Sequence, residues 1–243
     1  MTAETVVIDQ RFRGPPASGH GGYTCGLLAR MLPGAVEVSL RSPPPLERPL
    51  SIEQEVAGRF TLRDGETLVA QARAADLEVA VPDPIALDEA TSAISGYVGF
   101  EHHAFPSCFA CGPERGEGDG LRLFPGSVSG RDIVACPWRP GADLAGGDGL
   151  VQPEFVWAAL DCPTAFACDL GESWAIVLAQ LTAKIERPVR AEAPHVVAAW
   201  PLGREGRKHS AACAIFDQEG EVLAVSRALW IEPRDRAAFG AAG

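Results

Sequence analysis

The sequence predicts an α+β protein of two similar halves, each an antiparallel sheet wrapped around one central helix. Three observations point to it. Two helical stretches follow distinctive starts, Gly19-His20-Gly21-Gly22 before residues 23–32 and Gly149-Leu150-Val151-Gln152-Pro153-Glu154 before residues 155–161. Two glycine turns that each lead into a strand, Asp64-Gly65-Glu66-Thr67-Leu68-Val69 and Glu219-Gly220-Glu221-Val222-Leu223-Ala224, come later in the same order. Strand-like segments outnumber helices in both halves. A repeat of two features in one order indicates internal duplication.

In the first half, residues 4–12 are β-like through Val6, Val7 and Ile8, and the Gly-Pro-Pro-Ala-Ser-Gly run at 14–19 breaks them. Tyr23, Leu27, Leu28 and Met31 then recur at helical spacing until Pro33-Gly34. Strands are predicted at 35–40, 50–56 and 67–81, with Pro43-Pro44-Pro45 as an interruption. Residues 82–99 read as a linker, dividing the chain into an N-terminal half at 1–98 and a C-terminal half at 99–243. In the second half, strands are expected at 120–124 and 132–138, followed by a glycine-rich loop at 141–149 and the helix. Pro163 should bend or restart that helix just past Asp161, because a proline removes a helical hydrogen bond. Four long strands at 174–187, 193–202, 208–217 and 221–231 complete the half.

With 243 residues and 47% apolar content the chain can fill one or two cores. No segment approaches the ~18 uninterrupted apolar residues of a membrane span. The acidic start Met1-Thr2-Ala3-Glu4 lacks the basic-then-apolar order of a secretory signal, and seven cysteines, an odd number among apolar neighbours, suit a reducing compartment. The expected location is the cytoplasm. Cys25, Cys136, Cys162, Cys168 and Cys213 read as small buried apolar residues. A net charge of −11, spread over both halves, argues against nucleic acid and anionic membranes as partners. A phosphate-bearing ligand would need a local basic cluster, for which Arg187, Arg190, Arg204, Arg207 and Lys208 are the candidates. Each alone also reads as an ordinary solvated loop residue.

Cys108-Phe109-Ala110-Cys111-Gly112-Pro113, followed by Gly120-Leu121-Arg122-Leu123-Phe124, resembles the opening of many hotdog-fold acyl-CoA thioesterases. The helix start His20-Gly21-Gly22, with an acid expected nine residues after the His, is similar to the phenylacetyl-CoA thioesterase type of that superfamily. The resemblance covers most of residues 100–232 and, more weakly, 4–81. It implies a double hotdog, in which one chain supplies both halves of what is elsewhere a homodimer. The departures are informative. Gln152-Pro153-Glu154 replaces the His-Gly-Gly start in the second half, and Ala29 stands where the first half should carry the acid that the second keeps as Asp161. In homodimeric members the helix start of one protomer faces the acid of the other. That geometry would leave this chain one complete site, Gly21 and Gly22 against Asp161, and an empty mirror site.

Thioester hydrolysis needs a group that activates water and a donor for the oxyanion. Free N–H groups at a helix start suit the donor role, which Gly21 and Gly22 could fill. Asp161 could act as a general base or attack the carbonyl directly. The competing reading makes Asp161 a cap for the helix restart at Pro163 or a partner for a neighbouring backbone group. His20 could orient Asp161 or the substrate, or serve only as a capping residue. Thr164, Arg187 and Arg190 are candidate substrate contacts, although a helix hydroxyl such as Thr164 often bonds its own backbone. His102 and His103 with Cys108 and Cys111 stand at metal-ligand spacing, but a single such pair lacks the second pair that zinc sites show, so no metal is expected.

The expected function is hydrolysis of an acyl-CoA substrate at one composite site, with no cofactor; a homodimer of double hotdogs is compatible with it. The alternative is a non-catalytic acyl-CoA or acyl-group binding protein on the same scaffold. A hydratase would want a helix-start Asp with a His about five residues on, a pattern absent from the sequence.

Overall fold

The computed structural model describes residues 4–56, 58–168 and 176–234. The first half contains β1 (Glu4–Val7), α1 (Gly21–Ala29), β2 (Val36–Leu40), β3 (Pro49–Gln54), β4 (Arg59–Asp64) and β5 (Thr67–Ala74). A short helix, α2 (Leu87–Ala93), follows. The second half contains β6 (Gly126–Ser127), β7 (Val134–Trp138), α3 (Pro153–Ala159), α4 (Cys162–Ala167), β8 (Val177–Ile185), β9 (His195–Glu205), β10 (Lys208–Phe216) and β11 (Val222–Ile231).

All neighbouring strands run antiparallel, and their order across the sheet is β1-β3-β4-β5-β2-β8-β11-β10-β9-β7-β6. The duplication is visible in this order. Each half runs strand, helix, then four strands arranged first-third-fourth-fifth-second, with β6 as an added edge. The predicted two sheets are in fact one. β2 and β8 pair from Val36↔Ala183 to Ser39↔Gln180, so each half satisfies the backbone groups that the other's inner edge would leave open.

The helices lie against this sheet and against each other: α1 crosses α3 and packs on β2, β4 and β5, while α4 packs on β9 and β10. One apolar core runs through both halves and includes Leu28, Leu62, Leu160, Leu181 and Ile215. A second cluster lies on the outer face of the second half. Along β9, Val197 and Ala199 face the main core, whereas Val196, Ala198 and Trp200 face the outer cluster. Burial on both faces explains why His195-Val196-Val197-Ala198-Ala199-Trp200 is a nearly continuous apolar run. Ile85, Ala90 and Ala93 cover that outer face, so the predicted linker is a packed cap for β7 and β9.

Several expected elements differ. Residues 120–124 form no strand: Arg122 adopts φ 53°, which breaks an extended ladder, and Leu121 and Leu123 instead donate to Phe109 and Ala110 carbonyls at 2.9 and 2.8 Å. β4 was not predicted, although the Asp64-Gly65 turn implies a strand on each side of it. β5 stops at Ala74 and the chain leaves the sheet toward Pro82 and Pro84. The segment 10–12 is a 3₁₀ turn capped by the Asp9 carboxylate. α1 ends at Ala29 because Met31 and Leu32 bond three residues back, to Leu28 and Ala29. The predicted start of β8 at Trp174 lies outside the described residues. The expected break near Pro163 is present, between α3 and α4.

Candidate active site

A cavity of about 660 Å³ opens beside the start of α1, a volume within the usual range for small-molecule sites. Its walls come from the turns at 14–19 and 42–44, the loop at 103–111, α4, the first residues of β8, and Trp230. Prolines 15, 16, 43 and 44, which in sequence mark only the ends of elements, form one wall. Leu40, Phe105, Phe166, Ile176 and Leu178 make the lining largely apolar. Phe166 is the one of three large helix side chains that reaches it. Phe155 stacks instead with Phe12, Tyr23 and Phe109, and Trp157 is buried in the core.

His20 and Asp161 meet at the inner end of the cavity, each only 2% exposed. His20 is the N-cap of α1: its backbone is extended and its Nδ1 accepts from Tyr23 N–H at 3.2 Å. In the neutral ring the proton therefore sits on Nε2, which lies 3.1 Å from Cys162 Sγ and 3.5 Å from Asp161 Oδ2. Burial opposes a charge on this ring, but Cys108 and Asp161 beside it outweigh that effect and raise its pKa.

Asp161 stands at the break between α3 and α4. Its side chain makes no cap bond to α4, so the cap reading does not hold. Oδ2 instead accepts from Gly22 N–H at 2.6 Å, across the two halves of the chain. Oδ1 is buried without a hydrogen-bond partner among the described residues. Burial pushes the carboxyl pKa up to about 6, against the opposing pull of His20 and the Gly22 N–H.

Helix packing explains how Gly22 reaches Asp161. Gly22 and Gly26 are one turn apart on the face of α1 that crosses α3. A Cβ on Gly22 would stand 2.5 Å from Asp161 Cβ and 2.6 Å from Trp157 O, and one on Gly26 would stand 2.5 Å from Glu154 Cα. Only glycine lets the two backbones approach this closely. Gly26 was not singled out in the sequence, yet its spacing of four from Gly22 is the signal that could have found it.

The remaining site residues are placed as follows. Gly22 N–H is taken by Asp161, so of the two glycines only Gly21 has an N–H without an acceptor among the described residues, and Gly21 lines the cavity. Thr164 is fully buried and outside the lining: its hydroxyl donates to Asp161 O at 2.6 Å and accepts from Trp230 Nε1 at 2.8 Å. It supports the Asp161 turn. Arg187 is exposed and paired with Glu221 at 2.8 Å, and Arg190 is exposed beside the Leu150 bridge; neither lines the cavity. Arg204 and Arg207 are held by Glu232 at the far end of β9 and β10. The basic cluster of the sequence is therefore dispersed. Of the residues at metal-ligand spacing, His102 is exposed, and the His103 ring packs against Tyr97 and Phe166. Cys108 and Cys111 are buried against a different pair of residues, Cys162 and His20. Cys111 and Cys162 hydrogen-bond to Cys108 and hold its thiol well below its ordinary pKa despite burial.

The topology bears comparison with solved structures. A protein from Alicyclobacillus acidocaldarius described as having a hotdog fold superposes with a TM-score of 0.57 at 12% identity, over 96% of each chain. The chain has the hotdog fold. An acyl-CoA thioesterase II from Mycobacterium marinum superposes on the hotdog sheet and helices with a TM-score of 0.59 at 13% identity, over 96% of this chain and 97% of its own. The tesB protein of Mycobacterium avium subspecies paratuberculosis gives 0.58 at 15% identity, over 88% and 87%. At such identities the likeness is one of fold. No protein-family model and no curated protein matches the sequence. Among the described residues no helix is long and apolar enough to cross a membrane.

Proposed function

We propose that this chain is a double hotdog that hydrolyses an acyl-CoA thioester at a single composite site. One observation carries the reading: a carboxylate from the second half, Asp161, is pinned through Oδ2 to the helix start of the first half, keeps a buried Oδ1 without a hydrogen-bond partner among the described residues, and belongs to the lining of a largely apolar cavity. A buried acid held in this way is set to act on a proton. Its mirror positions, Ala29 and Glu154, hold no such pair.

The thioester carbonyl lies near the start of α1, with its oxygen accepting from Gly21 N–H, where the helix dipole favours negative charge. Asp161 Oδ1 takes a proton from water, and the water oxygen bonds to the carbonyl carbon. The tetrahedral intermediate then collapses, the C–S bond breaks, and the thiolate leaves as thiol with the proton from Asp161. The acyl chain occupies the apolar part of the cavity, between Phe166, Ile176 and Leu178. Arg41 is the one Lys or Arg among the described lining residues and is exposed, which supports a role for it in meeting the phosphates of CoA. Names of structural neighbours, an acyl-CoA thioesterase II among them, agree with this substrate class.

The test is thiol release from a panel of acyl-CoA esters by the full chain and by Asp161→Asn. Hydrolysis of at least one ester that is lost in the variant supports the reading. Binding without turnover in the unaltered chain would favour the acyl-CoA binding alternative.

A further inference from the structure

The structure brings Cys108, Cys111, Cys162 and His20 together into a site that we propose binds a thiophilic divalent cation, with zinc as the expected occupant. The sequence argued against metal because Cys108-x-x-Cys111 had no second ligand pair. Folding supplies it from two distant segments, the start of α4 and the cap of α1. The turn at 108–112 closes through Gly112 N–H to Cys108 O at 3.0 Å and places both thiols on one side.

Geometry and chemistry agree on a tetrahedral thiolate site. The Cys108 and Cys162 sulfurs are 3.7 Å apart, close to the roughly 3.8 Å edge expected of a tetrahedron with Zn–S bonds of about 2.3 Å. His20 Nε2 and these two sulfurs all lie within 4.8 Å of one another, and all three residues are buried. Cys111 is buried beside Cys108 and Cys162. Its sulfur stands outside the trio whose ligand atoms are all within 4.8 Å of one another, so it becomes the fourth ligand by turning inward when the cation binds. A thiol cluster packed this tightly gains little from apolar burial alone, whereas a shared cation would hold all of it. Thiolate and imidazole donors suit zinc, and hard cations would prefer oxygen.

Binding requires the three thiols to lose their protons. His20 stays neutral but changes tautomer: Nε2 binds the metal and Nδ1 carries the proton, so the Tyr23 N–H cap is given up. Losing one capping bond is a small cost against metal–thiolate bonding. Four protein ligands would leave no open position, so the metal would be structural. It would tie the 103–111 wall of the cavity to α1 and α4. This inference does not depend on the hydrolase reading, because metal content is read without substrate.

The experiment is metal analysis of the full chain purified without chelator from zinc-supplemented cells. About one zinc per chain is expected, lost in Cys111→Ser and Cys162→Ser but retained in Cys213→Ala, whose thiol lies elsewhere in the core. Should the cysteine variants not fold, the unaltered chain stripped of metal and titrated with Co²⁺ should develop a thiolate-to-cobalt charge-transfer band that saturates at the same stoichiometry. Zinc undiminished in both folded variants would overturn the proposal. So would reduced chain that contains no stoichiometric zinc and gives no such band.

Discussion

Gly22 N–H donates to Asp161 Oδ2 at 2.6 Å, although the two residues lie in different halves of the chain. This one bond joins the first turn of α1 to the break between α3 and α4. It is the point at which the duplicated plan becomes asymmetric.

Asp161→Asn keeps an oxygen for Gly22 N–H but removes the proposed base. The expected result is a folded protein that binds acyl-CoA and turns it over about a hundredfold more slowly, or worse. Steady-state thiol release with thermal melting as the folding control measures it, and undiminished turnover would remove the residue on which the mechanism stands.

Glu154→Gln alters the mirror position, where no acid faces a glycine start. Activity close to that of the unaltered chain is expected, and titration calorimetry with a non-hydrolysable CoA thioether should saturate at one ligand per chain. Losses comparable to those of Asp161→Asn, or a second equivalent site, would show that the halves work symmetrically.

Gly26→Ala forces a Cβ to 2.5 Å from Glu154 Cα. Overpacking costs about 1–3 kcal/mol, more than the ~1 kcal/mol that alanine gains in a helix, so the urea midpoint should fall. Gly22→Ala should destabilise as well and lower kcat further, since it displaces Asp161. At Gly147 nothing lies within 4 Å, and alanine there should change stability by less than about 0.5 kcal/mol.

Thr164→Val leaves Trp230 Nε1 and the Asp161 turn without the hydroxyl that bonds both. An unsatisfied buried donor costs about 1–3 kcal/mol. Stability should drop while KM stays near its original value, because Thr164 does not line the cavity. A KM effect with unchanged stability would restore it as a substrate contact.

Arg41→Ala should raise KM for acyl-CoA and leave KM for the matching acyl-pantetheine thioester, which lacks the nucleotide phosphates, nearly unchanged. The difference should shrink as salt is added, because Arg41 is exposed and its field is screened. Equal effects on both thioesters would place the phosphates elsewhere.

Sequence alone was enough for whatever depends on local order. The glycine start of α1, the break near Pro163, the long strands β9 to β11 and the duplicated plan are all legible in residue spacing, since helix and strand periods are properties of short segments. Even Asp161 stood out, by comparison of one copy with the other. Tertiary structure decided what depends on approach between distant segments. Only the α1–α3 crossing shows that Gly22 N–H is spent on Asp161, leaving Gly21 as the free donor. Only the fold gathers Cys108, Cys111, Cys162 and His20, because their separation along the chain is unrelated to their separation in space. The basic residues failed as a group for the same reason: Arg187 and Arg190 are near Arg204 in number, yet they lie in the connection before β9, and β9 carries Arg204 to the opposite end of the strands. Side-chain type is written in the sequence, but which groups share a low-dielectric cavity is set by packing, and their chemistry follows from that sharing.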